Sequence, residues 1–266
     1  MDTQLQRAVE VLEHDPLKNI VLLKTLHYYS HVIRCHFYEG PEGFGVLLLV
    51  TGEASFFDRR NYPGTDHVVF IATTGSVALP ELIRHIPRGE RLLFKLMDPG
   101  HLARVRRFFS LERVNAFVSY TAPMDTGFAS SNDVAVSGLP DRACMDIYTA
   151  MGHSPDELSK YFQSGQACSF TVYEGEKPLA SCFTFRNYRE IYEIAGVYTD
   201  PDHRRKGLAR RVVGAGLHHL GRAGLKARYQ AQENNRASIL LAESMGLRHV
   251  VTYEHWRHDP AMKETL

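Results

Sequence analysis

Thr199-Asp-Pro-Asp-His-Arg-Arg-Lys-Gly-Leu-Ala-Arg210 joins the end of a hydrophobic strand, a basic turn holding a glycine, and the start of a helix. The first turn of any α-helix carries backbone N–H groups with no intrahelical partner, and the helix dipole favours an anion beside them. Gly207 and Ala209 are small enough to let anionic oxygens approach the main chain, and Arg204, Arg205 and Lys206 add positive charge around the same point. Such a turn is a cradle for a pyrophosphate. Taken alone it reads more readily as a solvated surface loop.

The surroundings decide between these readings. Upstream, Ile191-Tyr-Glu-Ile-Ala-Gly-Val-Tyr-Thr199 is rich in β-branched and aromatic residues and predicts a strand. Downstream, Leu208, Val212, Val213, Leu217 and Leu220 recur at helical spacing until Gly221 and Gly224. A strand over Ala227–Ala231 follows, and then a helix that begins at an Asn235 cap and stops at Gly246. This order resembles the GNAT superfamily of acyl-CoA-dependent N-acyltransferases. The family pattern Arg/Gln-x-x-Gly-x-Gly/Ala is met by Arg204, Gly207 and Ala209, with Pro201 six residues before the glycine. The later pattern, Asn-x-x-Ala/Ser with an apolar run and Gly-Phe, is met by Asn235, Ser238, Gly246 and Leu247. The resemblance covers roughly the last half of the chain. Its two-part layout looks like the glycine N-acyltransferase-like branch.

The 266 residues, 44% hydrophobic and 23% charged, suit two domains of an ordinary globular protein. A formal net charge of +1 argues against nucleic acid or anionic lipid as a partner, so the basic turn needs a local explanation. Cys35, Cys144, Cys168 and Cys182 show no C-x-x-C spacing, which predicts reduced, structural thiols, no zinc site and no metal. No apolar signal core or membrane-length run is present, and Gly43–Val50 is too short to span a bilayer. The expectation is a cytoplasmic enzyme, monomeric or homodimeric.

Two helices are expected at Asp2–Glu13 and Leu17–Tyr28, divided at Asp15-Pro16, followed by strands Val32–Tyr38, Phe44–Thr51 and His67–Ala72. A helix Leu79–His85, a strand Arg91–Leu96, a basic helix His101–Phe109 and a strand Asn115–Tyr120 complete this half. The alternation predicts a smaller α/β domain, 1–121, compatible with a degenerate GNAT-like copy that lacks a phosphate turn. A small, polar stretch with Pro and Gly, Ala122–Asn132, reads as the linker. The second domain, 132–266, is expected to hold a short strand Val134–Val136, helices Asp141–Met151 and Pro155–Gln163, a hairpin Cys168–Tyr173/Pro178–Arg186, and the strand Tyr188–Tyr198. The fold class is therefore α/β (α+β), with a mixed, splayed central sheet flanked by helices in the GNAT-like half.

Acyl transfer from a thioester to an amine needs the amine neutral, because an ammonium of pKa near ~10 cannot attack. Glu193, six residues before Thr199, is the candidate base, since several branches of the family place a strand glutamate at that offset; its other reading is a charged residue on an exposed strand face. Simple alternation would turn Glu193, Ala195, Val197 and Thr199 to one face, and a bulge would change the count. The resemblance further implies that the main chain of Val197 and Thr199 binds the pantetheine arm and that Arg204, Arg205, Lys206, Gly207, Leu208 and Ala209 bind the pyrophosphate. Asn235 either reaches the pantetheine or caps its helix, and Ser238 completes that motif. One departure stands out: the family's proton-donating tyrosine, seven residues after the asparagine, is Ala242 here, leaving Tyr198, Tyr229, Tyr253 or a water as substitutes. The expected activity is transfer of an acetyl or other short acyl group from coenzyme A to a primary amine on a small molecule. The alternative is an acyl-CoA-binding sensor or scaffold without transferase activity.

Overall fold

A computed structural model describes residues 3–75, 78–123 and 127–261. The chain forms two compact units, Met1–Phe117 with Val251–Leu266, and Val118–Val250.

The first unit begins with helices α1 (Thr3–Leu12) and α2 (Ile20–Tyr29) and the antiparallel hairpin β1 (Ile33–Gly40)/β2 (Gly43–Thr51). Helix α3 (Phe56–Asn61), strand β3 (His67–Thr73), helix α4 (Ala78–Ile83), strand β4 (Leu92–Leu96) and helix α5 (Pro99–Val105) follow. β2 pairs antiparallel with β3, and β3 runs parallel to β4 from His67↔Leu92 to Phe70↔Lys95. The last strand among the described residues, β11 (Arg248–His258), pairs antiparallel with β4 from Glu254↔Leu96 to His258↔Leu92. Leu47, Val69, Ile71, Leu82, Phe94, Val105, Phe109 and Trp256 form the core beneath these strands. Helix α3 was not foreseen. Its signal is Ser55 three residues before Asp58, whose backbone N–H the serine side chain accepts.

Strand β5 (Glu112–Thr121) carries the chain across the boundary between the units. The second unit then contains β6 (Ala135–Ser137), α6 (Arg142–Ala150), α7 (Pro155–Gln163), β7 (Ala167–Glu174), β8 (Lys177–Tyr188), β9 (Ile191–Thr199), α8 (Leu208–Arg222), β10 (Lys226–Gln232) and α9 (Arg236–Ser244). Its strand order is β6-β7-β8-β9-β10-β5. β6 to β9 are mutually antiparallel, while β9 and β10 run parallel from Ile191↔Lys226 to Ile194↔Tyr229 and pair no further. Helix α8 packs on one face, in a core with Phe170, Ile194, Ala227 and Tyr229. Helices α6 and α7 pack on the other face, in a core with Phe183 and Phe185. The first unit shares this plan in its antiparallel strands and in one short parallel pair joined through a helix.

Several boundaries differ from the sequence reading, among them the end of the first domain, expected at 121 and found at Phe117. The second domain was expected to run to residue 266, but Val251 onward belongs to the first unit, because the end of β11 completes that sheet against β4. The strand expected at Tyr188–Tyr198 is divided by a two-residue turn, Arg189-Glu190, so that Tyr188 closes β8 and Ile191 opens β9. Arg189 takes a left-handed φ of 45°, and its carbonyl accepts from Arg186 Nε at 2.9 Å. Of the expected linker, residues 124–126 lie outside the described residues, and 127–130 form no helix or strand.

Candidate coenzyme cleft and catalytic site

The site begins where β9 loses its regular pairing. Phe185↔Glu193 and Phe183↔Ala195 are partners across β8/β9, but the next pair is Ser181↔Tyr198, so β9 carries an extra residue. Directly opposed residues share a face, and Glu193, Ala195 and Tyr198 therefore lie together on the α6/α7 side. Ile194 and Thr199, opposite Thr184 and Ala180, lie on the α8 side. The simple alternation that grouped Glu193 with Val197 and Thr199 is corrected by this bulge. Gly196 makes it possible: its φ is +60°, and a Cβ there would stand 2.7 Å from a Phe183 ring carbon and 2.9 Å from a Tyr148 ring carbon. Beyond Ile194 the parallel partner β10 has parted from β9, which opens the edge on which Val197, Tyr198 and Thr199 stand.

The turn after β9 is fixed from below by Asp200. Its Oδ1 accepts from Asp202 N at 3.1 Å and from His203 Nδ1 at 3.0 Å, and its Oδ2 pairs with Lys177 Nζ at 2.7 Å. His203, then Lys177, hold this carboxyl well below the usual carboxylate range. Above this anchor Arg205 (φ 62°) and Gly207 (φ 78°) take left-handed conformations and lead the main chain into α8. Apart from its own chain neighbours, no atom of the described residues lies within 4 Å of where a Gly207 Cβ would be.

Val197, Tyr198, Thr199, Arg204, Arg205, Gly207, Leu208, Ala209, Asn235 and Ser238 line one cleft of about 870 Å³. Met151 at the end of α6, Arg210, and the α9 residues Ala237, Leu240, Leu241 and Ser244 complete its walls. Nine of the ten residues expected to touch the coenzyme thus meet around one opening; Lys206 lies on the same turn, exposed and outside the lining. Asn235 caps α9, its Oδ1 accepting from Ser238 N at 3.1 Å, while it also borders the cleft. Arg210 Nη1 donates to the Ser244 carbonyl at 3.0 Å and ties the start of α8 to the end of α9. An open turn, a strand edge free of its parallel partner and flanking arginines suit a diphosphate with an extended polar arm.

Glu193 is not among the cleft-lining residues. Its Oε2 accepts from Asn187 Nδ2 at 2.6 Å and pairs with Arg228 Nη1, and Arg228 Nη2 donates to Ser119 Oγ at 2.9 Å. Of the three candidate tyrosines, Tyr198 borders the cleft, whereas Tyr229 and Tyr253 are buried in cores, 2% and 1% exposed. Ala242 is fully buried, so its position in α9 faces the core rather than the cleft. Arg228 and Asn187 were missed by sequence reasoning. The available signal was a charged residue in the middle of Ala227-Arg-Tyr-Gln-Ala231, since a strand covered on both faces has no place for an unpaired charge.

A bulged strand, a parallel neighbour that leaves it after four rungs, and an N–H-bearing turn at the start of the crossover helix define a GNAT fold. Residues 156–256 match the family described as GNAT acetyltransferase, which supports acyl transfer from coenzyme A in general. No curated protein matches the chain. Among solved structures, a Drosophila structural-genomics protein superposes with a TM-score of 0.65 at 12% identity, covering 98% of each chain. A GCN5-related N-acetyltransferase from Kribbella flavida gives 0.59 at 16% identity over 91% of this chain and 95% of its own. A tandem GNAT protein from the clavulanic acid biosynthesis pathway gives 0.56 at 10% identity over 99% and 97%. At such identities the likeness speaks to the fold, and the plan shared by the two units agrees with a tandem arrangement.

Proposed function

We propose that the second unit transfers an acetyl or other short acyl group from coenzyme A to a primary amine on a small molecule. The observation that carries this reading is the convergence of the β9 bulge, the Arg204–Ala209 turn and the face of α9 on one cleft. Main-chain groups of Val197 and Thr199 hydrogen-bond the pantetheine arm as an added strand would. N–H groups of the turn hold the pyrophosphate, with Arg204, Arg205 and Lys206 supplying charge. Bound acyl-CoA supplies the activated acyl carbon. Glu193 takes the proton from the amine nitrogen as it attacks, and the Tyr198 hydroxyl, on the same face, protonates the departing sulfur. The strand glutamate and the two-part layout, both shared with the glycine N-acyltransferase-like branch, support an amine as the acceptor.

The test is thiol release from acetyl-CoA across a panel of small amines, with calorimetry of coenzyme binding. Reversing charge at Arg204 and Arg205 is expected to weaken acetyl-CoA by at least about 100-fold, from about 1.5–3 kcal/mol per charge-assisted hydrogen bond. Unchanged affinity would remove the cradle. A second reading, a sensor that binds acyl-CoA and does not transfer it, is favoured by Glu193 lying outside the cleft lining and paired with Arg228. Tight binding with no thiol release for any amine would select that reading.

A further inference from the structure

Arg228 stands where the sheet divides. It is the partner of Glu193 in the parallel β9/β10 ladder, one rung before that ladder ends at Tyr229↔Ile194. Its guanidinium reaches Glu193 on β9 and Ser119 on β5, and the same Glu193 oxygen accepts from Asn187 on β8. One ion pair thereby ties four strands together immediately below the bulge that opens the cleft. The tie is deeply buried: the Arg228 side chain is 4% exposed and that of Glu193 14%. It is also incompletely satisfied, since Arg228 Nε and Asn187 Oδ1 have no hydrogen-bond partner among the described residues. A buried pair of this kind contributes little to stability compared with apolar side chains of the same volume, and its distinctive property is a fixed geometry.

We infer that Arg228 is a positioning residue for coenzyme binding: clamped between Glu193 and Ser119, it fixes the point at which β9 and β10 part, and so the spacing between the strand edge at Val197–Thr199 and the face of α9. The inference rests on the coenzyme-binding reading above, and it needs no knowledge of the amine. Oriented planar donors suit the role, because a guanidinium can address two partners on opposite sides at once.

The experiment compares acetyl-CoA affinity by calorimetry with thermal stability in the full chain. The apolar double variant Glu193→Leu/Arg228→Met is expected to melt within a few degrees of the wild type, yet bind acetyl-CoA at least tenfold more weakly. Ser119→Ala removes one arm of the clamp without stranding a charge and is expected to weaken binding two- to fivefold at unchanged melting temperature. A merely structural role would move melting temperature and leave affinity alone. The inference is overturned if the folded double variant binds as the wild type does. Should the double variant fail to fold, wild-type affinity in Ser119→Ala overturns it instead. Wild-type protein that binds no acetyl-CoA would defeat the coenzyme reading itself, and this inference with it.

Discussion

Replacing Glu193 with Gln leaves an oxygen to which Arg228 and Asn187 can still donate, but no group that can take up a proton. The clamp and the proposed base are therefore separable at one residue. Glu193→Gln is expected to lower turnover about 100-fold, within the range for loss of general base catalysis, while acetyl-CoA affinity stays within about threefold. A variant that keeps the wild-type rate would dismiss Glu193 as base. Loss of affinity alone would instead assign the residue wholly to the clamp with Arg228.

At the scale of elements, the β9 bulge organises the site, and Gly196 is its weakest point for substitution. Tyr148, on α6, packs against Gly196 while its hydroxyl bonds Ser181 Oγ at 2.5 Å and the Cys182 carbonyl at 3.1 Å, so the wall facing the glycine is itself anchored. Gly196→Ala meets both a left-handed φ and a contact under 3 Å. Strain and overpacking together predict a loss of about 2–5 kcal/mol in chemical denaturation, with weaker acetyl-CoA binding. A stable variant with full affinity would show that the bulge relaxes at no cost. The turn and both flanking helices were readable in the sequence because Gly207, Asn235 and the Leu208–Leu220 periodicity are local signals. The bulge was not, since Ile191–Thr199 reads as a uniform strand and the extra residue is visible only against β8. Arg228 was hidden for a related reason: its partners Ser119 and Glu193 are distant in sequence and meet only through strand order.

Over the whole molecule, the histidines whose pKa is lowered gather in one unit. His36, His101 and His255 all lie in the first unit, and burial lowers the pKa of each. His255 is pushed down to about 2, by burial and then by the Lys95 ammonium, while its Nδ1 shares a 2.7 Å hydrogen bond with the Tyr62 hydroxyl. An unfolded histidine titrates near ~6.5. Between that pH and the folded value the unfolded chain binds the extra proton, so stability rises with pH and levels off above ~6.5. Acidification from pH 7 to 5 should therefore loosen the first unit, at up to about 1.4 kcal/mol per pH unit for His255. Hydrogen exchange at the two pH values checks this, and His255→Gln should flatten the dependence. Equal protection of β3 and β4 at both pH values would refute it. Among the described residues no helix is long and apolar enough to cross a membrane.

The route of the chain has a consequence for synthesis. Val118–Val250 is one uninterrupted stretch, whereas the first unit takes its closing strand from beyond Val251. On the ribosome the first half emerges early but must wait with the β4 edge bare until the end of β11, at His258, clears the exit tunnel. The later half can mature before it. Releasing the nascent polypeptide at residue 250 should therefore cripple the part made first and spare the part made second.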